Sequence, residues 1–131
     1  MTRFVVDARA VVHLATDHVE IAAAHRLLAP VLLRSEALSL VHEAVQRGEL
    51  AADAGLERLR VIGRTKIRYL GDAVLRRRAW DLAERLRLGP TSRTEYLALT
   101  QLQADALIAR DPELARLADG VVPLATIDDL R

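Results

Sequence analysis

The sequence predicts an α/β protein, a three-layer α/β/α sandwich around a central, mainly parallel sheet. Three observations predict it. Short apolar runs alternate with longer stretches of helical spacing, the order that gives parallel strands with helices on both faces. "RFVV", residues 3–6, is a continuous apolar run of the kind found in a strand buried on both sides. Acids follow the strand segments, Asp7 directly after the first and Asp111 directly after "ALIAR".

Each element has its own reason. After the first strand, "ARAVVHLAT" carries apolar residues at helical spacing. "EIAAAHRLLA", residues 20–29, reads as a second helix closed by Pro30, and "VLL", residues 31–33, as a short strand. An amphipathic helix follows Ser35 and breaks at Gly48, and "AADAGLERLRVIG" is another helix. "RTKIRYLG" is a short extended piece. "DAVLRRRAWDLAERLRL" is a long helix opened by Asp72 and ended by Gly89 and Pro90. "TEYLALTQLQA" reads as a helix, "DALIA" as a strand, "DPELARLA" as a helix and "VVPLA" as a last strand. With no repeats and no low-complexity stretch, residues 1–131 form one domain.

Composition narrows the function classes. The chain is 51% hydrophobic but only 3% aromatic, so its core is built from Leu, Ala and Val. A net charge of +1 gives no sign of a globally basic nucleic-acid binder. The absence of cysteine excludes disulfides, thiolate catalysis and zinc–thiolate sites. The opening residues do not read as a signal peptide and no long apolar run suggests a membrane span, so the expected location is the cytoplasm. No Walker loop, GxGxxG fingerprint, nucleophile elbow or HExxH pair occurs.

In a parallel sheet, ligands bind beyond the carboxyl ends of the strands. Asp7, Glu36 and Asp111 are all expected at that edge. Singly, each has a capping explanation: Asp7 as an N-cap, Glu36 as a first-turn acid, Asp111 as the cap before Pro112 and Glu113. Together they repel one another unless a cation neutralises them, and hard oxygen ligands suit Mg²⁺ or Mn²⁺. Such an ion can activate water for attack on a phosphodiester.

These residues resemble a known family. "FVVDARAVV" resembles the opening of PIN domains, "LLRSEAL" their second motif, and "EYLALTQLQADALIARDPELA" their C-terminal half. The ordered set spans nearly the whole chain and is similar to the VapC toxins of type II toxin–antitoxin pairs. The resemblance implies a Mg²⁺- or Mn²⁺-dependent endoribonuclease acting on RNA, held by a cognate antitoxin protein that docks on the apolar helices of residues 38–60, and assembled as a homodimer. Carried over by position, Asp7, Glu36 and Asp111 match three of about four acids. The family's remaining acid falls on Arg93, and its usual serine or threonine after the first acid falls on Arg9.

Glu95 has two open readings. It stands three residues after Ser92, the spacing of a capping box. It also lies two residues beyond Arg93, so it can stand in for the missing acid as a catalytic carboxylate. Arg9 and Arg93 either bind substrate phosphate or neutralise the acids, which would leave a PIN-like interaction protein that binds without cutting. An Arg93 ion pair with no room for a metal favours the second; Glu95 turned inward favours the first. "RTKIR" and "LRRR" form the strongest basic clusters, either a solvated face or an RNA phosphate track including Arg64 and Arg68 beside the acids. His13, His18, His25 and His42 show no ligand spacing, and His13 reads as structural.

Overall fold

The computed structural model describes residues 1–131. Four strands, β1 (Thr2–Val6), β2 (His25–Pro30), β3 (Ile67–Leu70) and β4 (Ala106–Ile108), form one all-parallel sheet in the order β3-β2-β1-β4. Six α-helices flank it: α1 (Ala8–Asp17), α2 (Leu33–Gln46), α3 (Ala52–Arg64), α4 (Ala73–Leu86), α5 (Ser92–Gln103) and α6 (Pro112–Ala118). Helices α1, α2 and α3 pack on one another, and α4 packs on α5, which lies against β1, β2 and β4. The result is the expected three-layer α/β/α arrangement.

The apolar runs explain the centre. Phe4, Val5 and Val6 of β1, Leu27 to Ala29 of β2, and all of β4 are buried. Both faces of these strands are covered, so the hydrophobic sequence is continuous rather than alternating. Leu33, Leu75, Leu97, Leu99 and Leu114 bring the helices onto this core, with no measurable exposure beyond 2%. Fully burying one such leucine contributes about 1.5–3 kcal/mol.

Three elements differ from the sequence-based expectation. Residues 20–29 are not a helix: irregular backbone at 19–22 and a turn at 23–24 lead into β2, and Pro30 ends a strand. The alanine-rich "IAAA" favours a helix locally, but the following "LLA" is claimed by pairing with β1 and β3. "VLL" accordingly is not a strand, since Leu33 already begins α2. "VVPLA" forms only a single parallel bridge, Leu107 to Leu124. A short 3₁₀ turn, Ile127–Leu130, closes the chain with a capping box between Thr126 and Asp129.

The order of the strands positions the site. From β1 the chain crosses to β2 on one side, while β4 lies on the other. The carboxyl ends of β1 and β4 therefore flank a topological switch point, where open α/β sheets form their crevices.

Candidate active site: an acidic cleft at the switch point

Asp7 ends β1 and caps α1. Its Oδ1 accepts from the Ala10 N–H at 2.8 Å, and its Oδ2 accepts from the N–H groups of Arg110 and Asp111, each at 2.9 Å. The side chain is 3% exposed. One carboxylate thus caps a helix and ties the β4–α6 turn to β1. Burial raises its pKa above the ordinary 3.8, the three backbone bonds oppose that, and the charge of Asp111 adds to the rise.

Glu36 sits in the first turn of α2, as expected. Its Oε1 accepts from the Tyr96 hydroxyl at 2.5 Å. Burial pushes its pKa up; the tyrosine and Arg93 pull it down, while Asp7 and Asp111 push it further up. Tyr96, buried against this carboxylate, is in turn held well above its ordinary range. This phenol was not singled out in the sequence; 60 residues separate it from its partner, and nothing local signals the contact.

Asp111 occupies the N-cap position of α6, with Pro112 following, but makes no side-chain cap bond. Its Oδ2 instead accepts from Arg93 Nε at 2.7 Å. Burial works against its charge, yet the arginine outweighs that and holds the pKa below 3.8. The reciprocal contact raises the Arg93 pKa.

These three acids, with Arg9 and Arg93, line one open cleft of about 390 Å³, which Ser35, Ser39 and Ser92 complete with hydroxyls. Four carboxylates (Asp7, Glu36, Glu43 and Asp111) face two guanidiniums, leaving a formal charge of −2.

Glu95 does not line this cleft. Nor does it form the capping box with Ser92: α5 starts at Ser92, Thr91 holds the cap position, and the Glu95 N–H donates to the Thr91 carbonyl. Glu95 is half-buried, raised by desolvation and by the charge of Glu36, with Arg76 opposing. Arg64 pairs with Glu57 at 3.6 Å on α3. Arg68 lies in a pocket at the amino edge of the sheet with Met1 and Arg3. Neither lines the acidic cleft; Arg68, level with Leu28 and Val5 in the sheet, faces the other pocket. His13 is half-buried and pairs with Asp17 at 3.2 Å, a contact within its own helix.

The donor chemistry of the cleft fits a hard divalent cation in a limited way. Glu36 Oε2 accepts no protein hydrogen bond, Asp111 keeps lone pairs beyond those facing Arg93 and the Glu113 and Leu114 N–H groups, and the residual charge is that of one divalent ion. No three carboxylates or imidazoles converge as a metal-holding group. The fit is therefore to an ion held by one or two carboxylates and several waters, which is the habit of Mg²⁺.

The fold is similar to that of a solved structure, PAE2754 from Pyrobaculum aerophilum, with a TM-score of 0.72 over 98% of this chain and 92% of that one, at 20% sequence identity. No family model matches the chain. No curated protein matches it either.

Proposed function

We propose that the chain is a PIN-like, VapC-type endoribonuclease working with Mg²⁺ or Mn²⁺ at the cleft of Asp7, Glu36 and Asp111. One observation carries the reading: acids separated by 29 and 75 positions along the chain line a single cleft at the switch point of a parallel sheet. Glu36 and Asp111 would hold the ion through their remaining carboxylate lone pairs, with Asp7 beside them. A divalent ion there supplies charge stabilisation for the phosphodiester and a water of lowered pKa. Arg9 and the serine hydroxyls face the same space and suit contacts to the phosphate oxygens. Asp7 keeps the β1 and β4 ends in register, so its role is positioning as much as charge. Glu95, flanking the cleft, is not needed as a ligand in this reading.

A second reading has its own observation. Arg93 already bonds Asp111, so a guanidinium supplies part of the charge that a metal would supply. In that case the chain is a catalytically impaired PIN-like interaction protein, and the remaining negative charge suits a basic side chain of a partner. The two criteria for it divide: the ion pair is present, yet the cleft is open. Leu38 and Leu56, both exposed on α2 and α3, suit the docking of an antitoxin helix in either reading. Homodimerisation is proposed on the resemblance alone. No helix is long and apolar enough to cross a membrane, which is compatible with the proposed cytoplasmic role.

Cleavage of single-stranded RNA with Mn²⁺, by the wild type, Glu36→Gln and Arg93→Asp, separates the readings. Cleavage by the wild type that Glu36→Gln lowers about 100-fold or more, a barrier change near 2.7 kcal/mol, supports the nuclease. An inert wild type with an active Arg93→Asp supports the impaired form. Inert wild type and inert Arg93→Asp would remove the nuclease reading.

A further inference from the structure

The amino edge of the sheet, at the other end of the strands from the acidic cleft, carries a row of unpaired cations. Arg3 of β1 and Arg26 of β2 are register partners, and Arg68 of β3 is the partner of Leu28, two residues beyond Arg26. Register partners share a face, as do residues two apart on a strand. Arg3, Arg26 and Arg68 therefore project from one face of three adjacent strands, the first two about 4.8 Å apart and Arg68 shifted about 6.6 Å further along its strand. Lys66, just before β3, joins them in lining a pocket of about 530 Å³.

No carboxylate lines that pocket, and none of the four cations makes a salt bridge. Arg26 spends Nη1 on the carbonyls of Ala23 and His25, which fixes its head at the rim. Asp105 accepts the Arg3 backbone N–H and shares with Arg3 a neighbouring cavity, the one carboxylate close to the row. Like charges directly opposite in a sheet are destabilising. Elsewhere this chain places many of its arginines next to acids, including Arg47, Arg60, Arg77, Arg116 and Arg131. An uncompensated row over an apolar floor that includes Ile21 and Leu28 is a site for an anion with an apolar part. His25 lines the same pocket, and its Nδ1 is buried without a hydrogen-bond partner.

We propose that this pocket binds the phosphate of a nucleotide, either free or within an RNA chain. The reading is independent of catalysis at the acidic cleft. Guanidinium forks match phosphate oxygens bidentately, and the apolar floor accommodates a ribose or base edge. The stretch "RTKIR" thus has a role through Lys66 and Arg68, at the edge away from the acids.

The test uses the full chain in EDTA, so that a metal-dependent event at the acidic cleft does not contribute. A short fluorescent single-stranded RNA is titrated by anisotropy, and adenosine monophosphate is titrated by calorimetry and as a competitor. Arg3→Glu and Arg68→Glu are compared with the wild type, with the charge reversal Arg60→Glu, exposed on α3 and outside both pockets, as the control. Arg3 and Arg68 are exposed and without side-chain partners, so their variants should melt at or above the wild-type temperature. The expected result is binding of at least one probe, weakened about tenfold by Arg3→Glu or Arg68→Glu and left within about twofold by Arg60→Glu. For RNA, the slope of log K against log salt should fall by about 1 or more. Binding of adenosine monophosphate, with competition, assigns the free nucleotide; RNA binding without competition assigns the chain backbone. Binding of neither probe, or binding indifferent to both Arg3→Glu and Arg68→Glu, overturns the proposal.

Discussion

Arg93 Nε lies 2.7 Å from Asp111 Oδ2, on the open side of a cleft that Asp7 and Glu36 also line. The arginine is 45% exposed and the aspartate 22%. Solvent screening limits what this pair adds to folding, to about 1 kcal/mol at most. Its electrostatic effect on a cation entering the cleft is larger in consequence, because the guanidinium both repels the ion and occupies one of its ligands. Arg93→Ala should therefore change the melting temperature little and tighten Mn²⁺ binding by about tenfold, near 1.4 kcal/mol. Thermal melting and calorimetry on one preparation check both halves.

Asp7 is predicted to matter for stability before it matters for chemistry. Its carboxylate accepts three backbone N–H bonds in a buried setting. Asp7→Ala strands those donors and removes the cap of α1, at a cost of about 2–4 kcal/mol. Denaturant unfolding of the variant measures it. A loss below about 1 kcal/mol would mean that the Asp7 bonds are not holding the β1 and β4 ends together.

The pH dependence follows from opposite shifts. Asp7 and Glu36 are raised by burial, so the folded chain holds their protons to higher pH than the unfolded chain does. Their ionisation lowers stability as pH climbs from the ordinary 3.8 and 4.5 through the raised values. Asp111, lowered by Arg93, contributes stability above 3.8 that is lost as pH falls through its folded value. With EDTA present, the two buried acids should make stability decline above about pH 4. Mn²⁺ competes with those protons, so the melting-temperature increase it produces should grow as pH rises through their raised values. A Mn²⁺ effect independent of pH contradicts the placement of the ion at these carboxylates.

Much of this was legible in the sequence, for physical reasons that differ by element. β1 and β4 show as apolar runs because both their faces are buried, and Asp72 shows α4 because a cap is a local device, confirmed by its bond to the Leu75 N–H. The three acids show because strand ends lie at one edge in any parallel sheet. β2 was not legible, since "IAAAHRLLAP" has helical propensity and only pairing with β1 and β3 makes a strand of its second half. The capping box of Ser92 and Glu95 failed for a one-residue reason: α5 begins at Ser92, so the cap falls to Thr91. The Tyr96–Glu36 bond and the grouping of Arg3 with Arg26 and Arg68 depend on long-range register, which no window of sequence displays.

Tyr96 offers a separate check on Glu36. The phenol steadies the ionised carboxylate, so Tyr96→Phe should raise the Glu36 pKa further and weaken Mn²⁺ binding by a few-fold, more at the lower of two pH values. The stability cost of the lost bond should be about 1.5–3 kcal/mol, as for a hydrogen bond to a charged group. Calorimetric titrations at two pH values would read the effect. Equal affinities for the variant and the wild type at both would place Glu36 outside the ligand set.

The central claim is that the acidic cleft holds a divalent cation through Glu36 and Asp111. Calorimetric titration of Mn²⁺ into the wild type, Glu36→Gln, Asp111→Asn and Glu95→Gln tests it most directly. The account predicts one binding event, weakened about tenfold or more by the first two variants and left within about twofold by Glu95→Gln. Absence of any Mn²⁺ binding, or binding that survives both Glu36→Gln and Asp111→Asn, would contradict it.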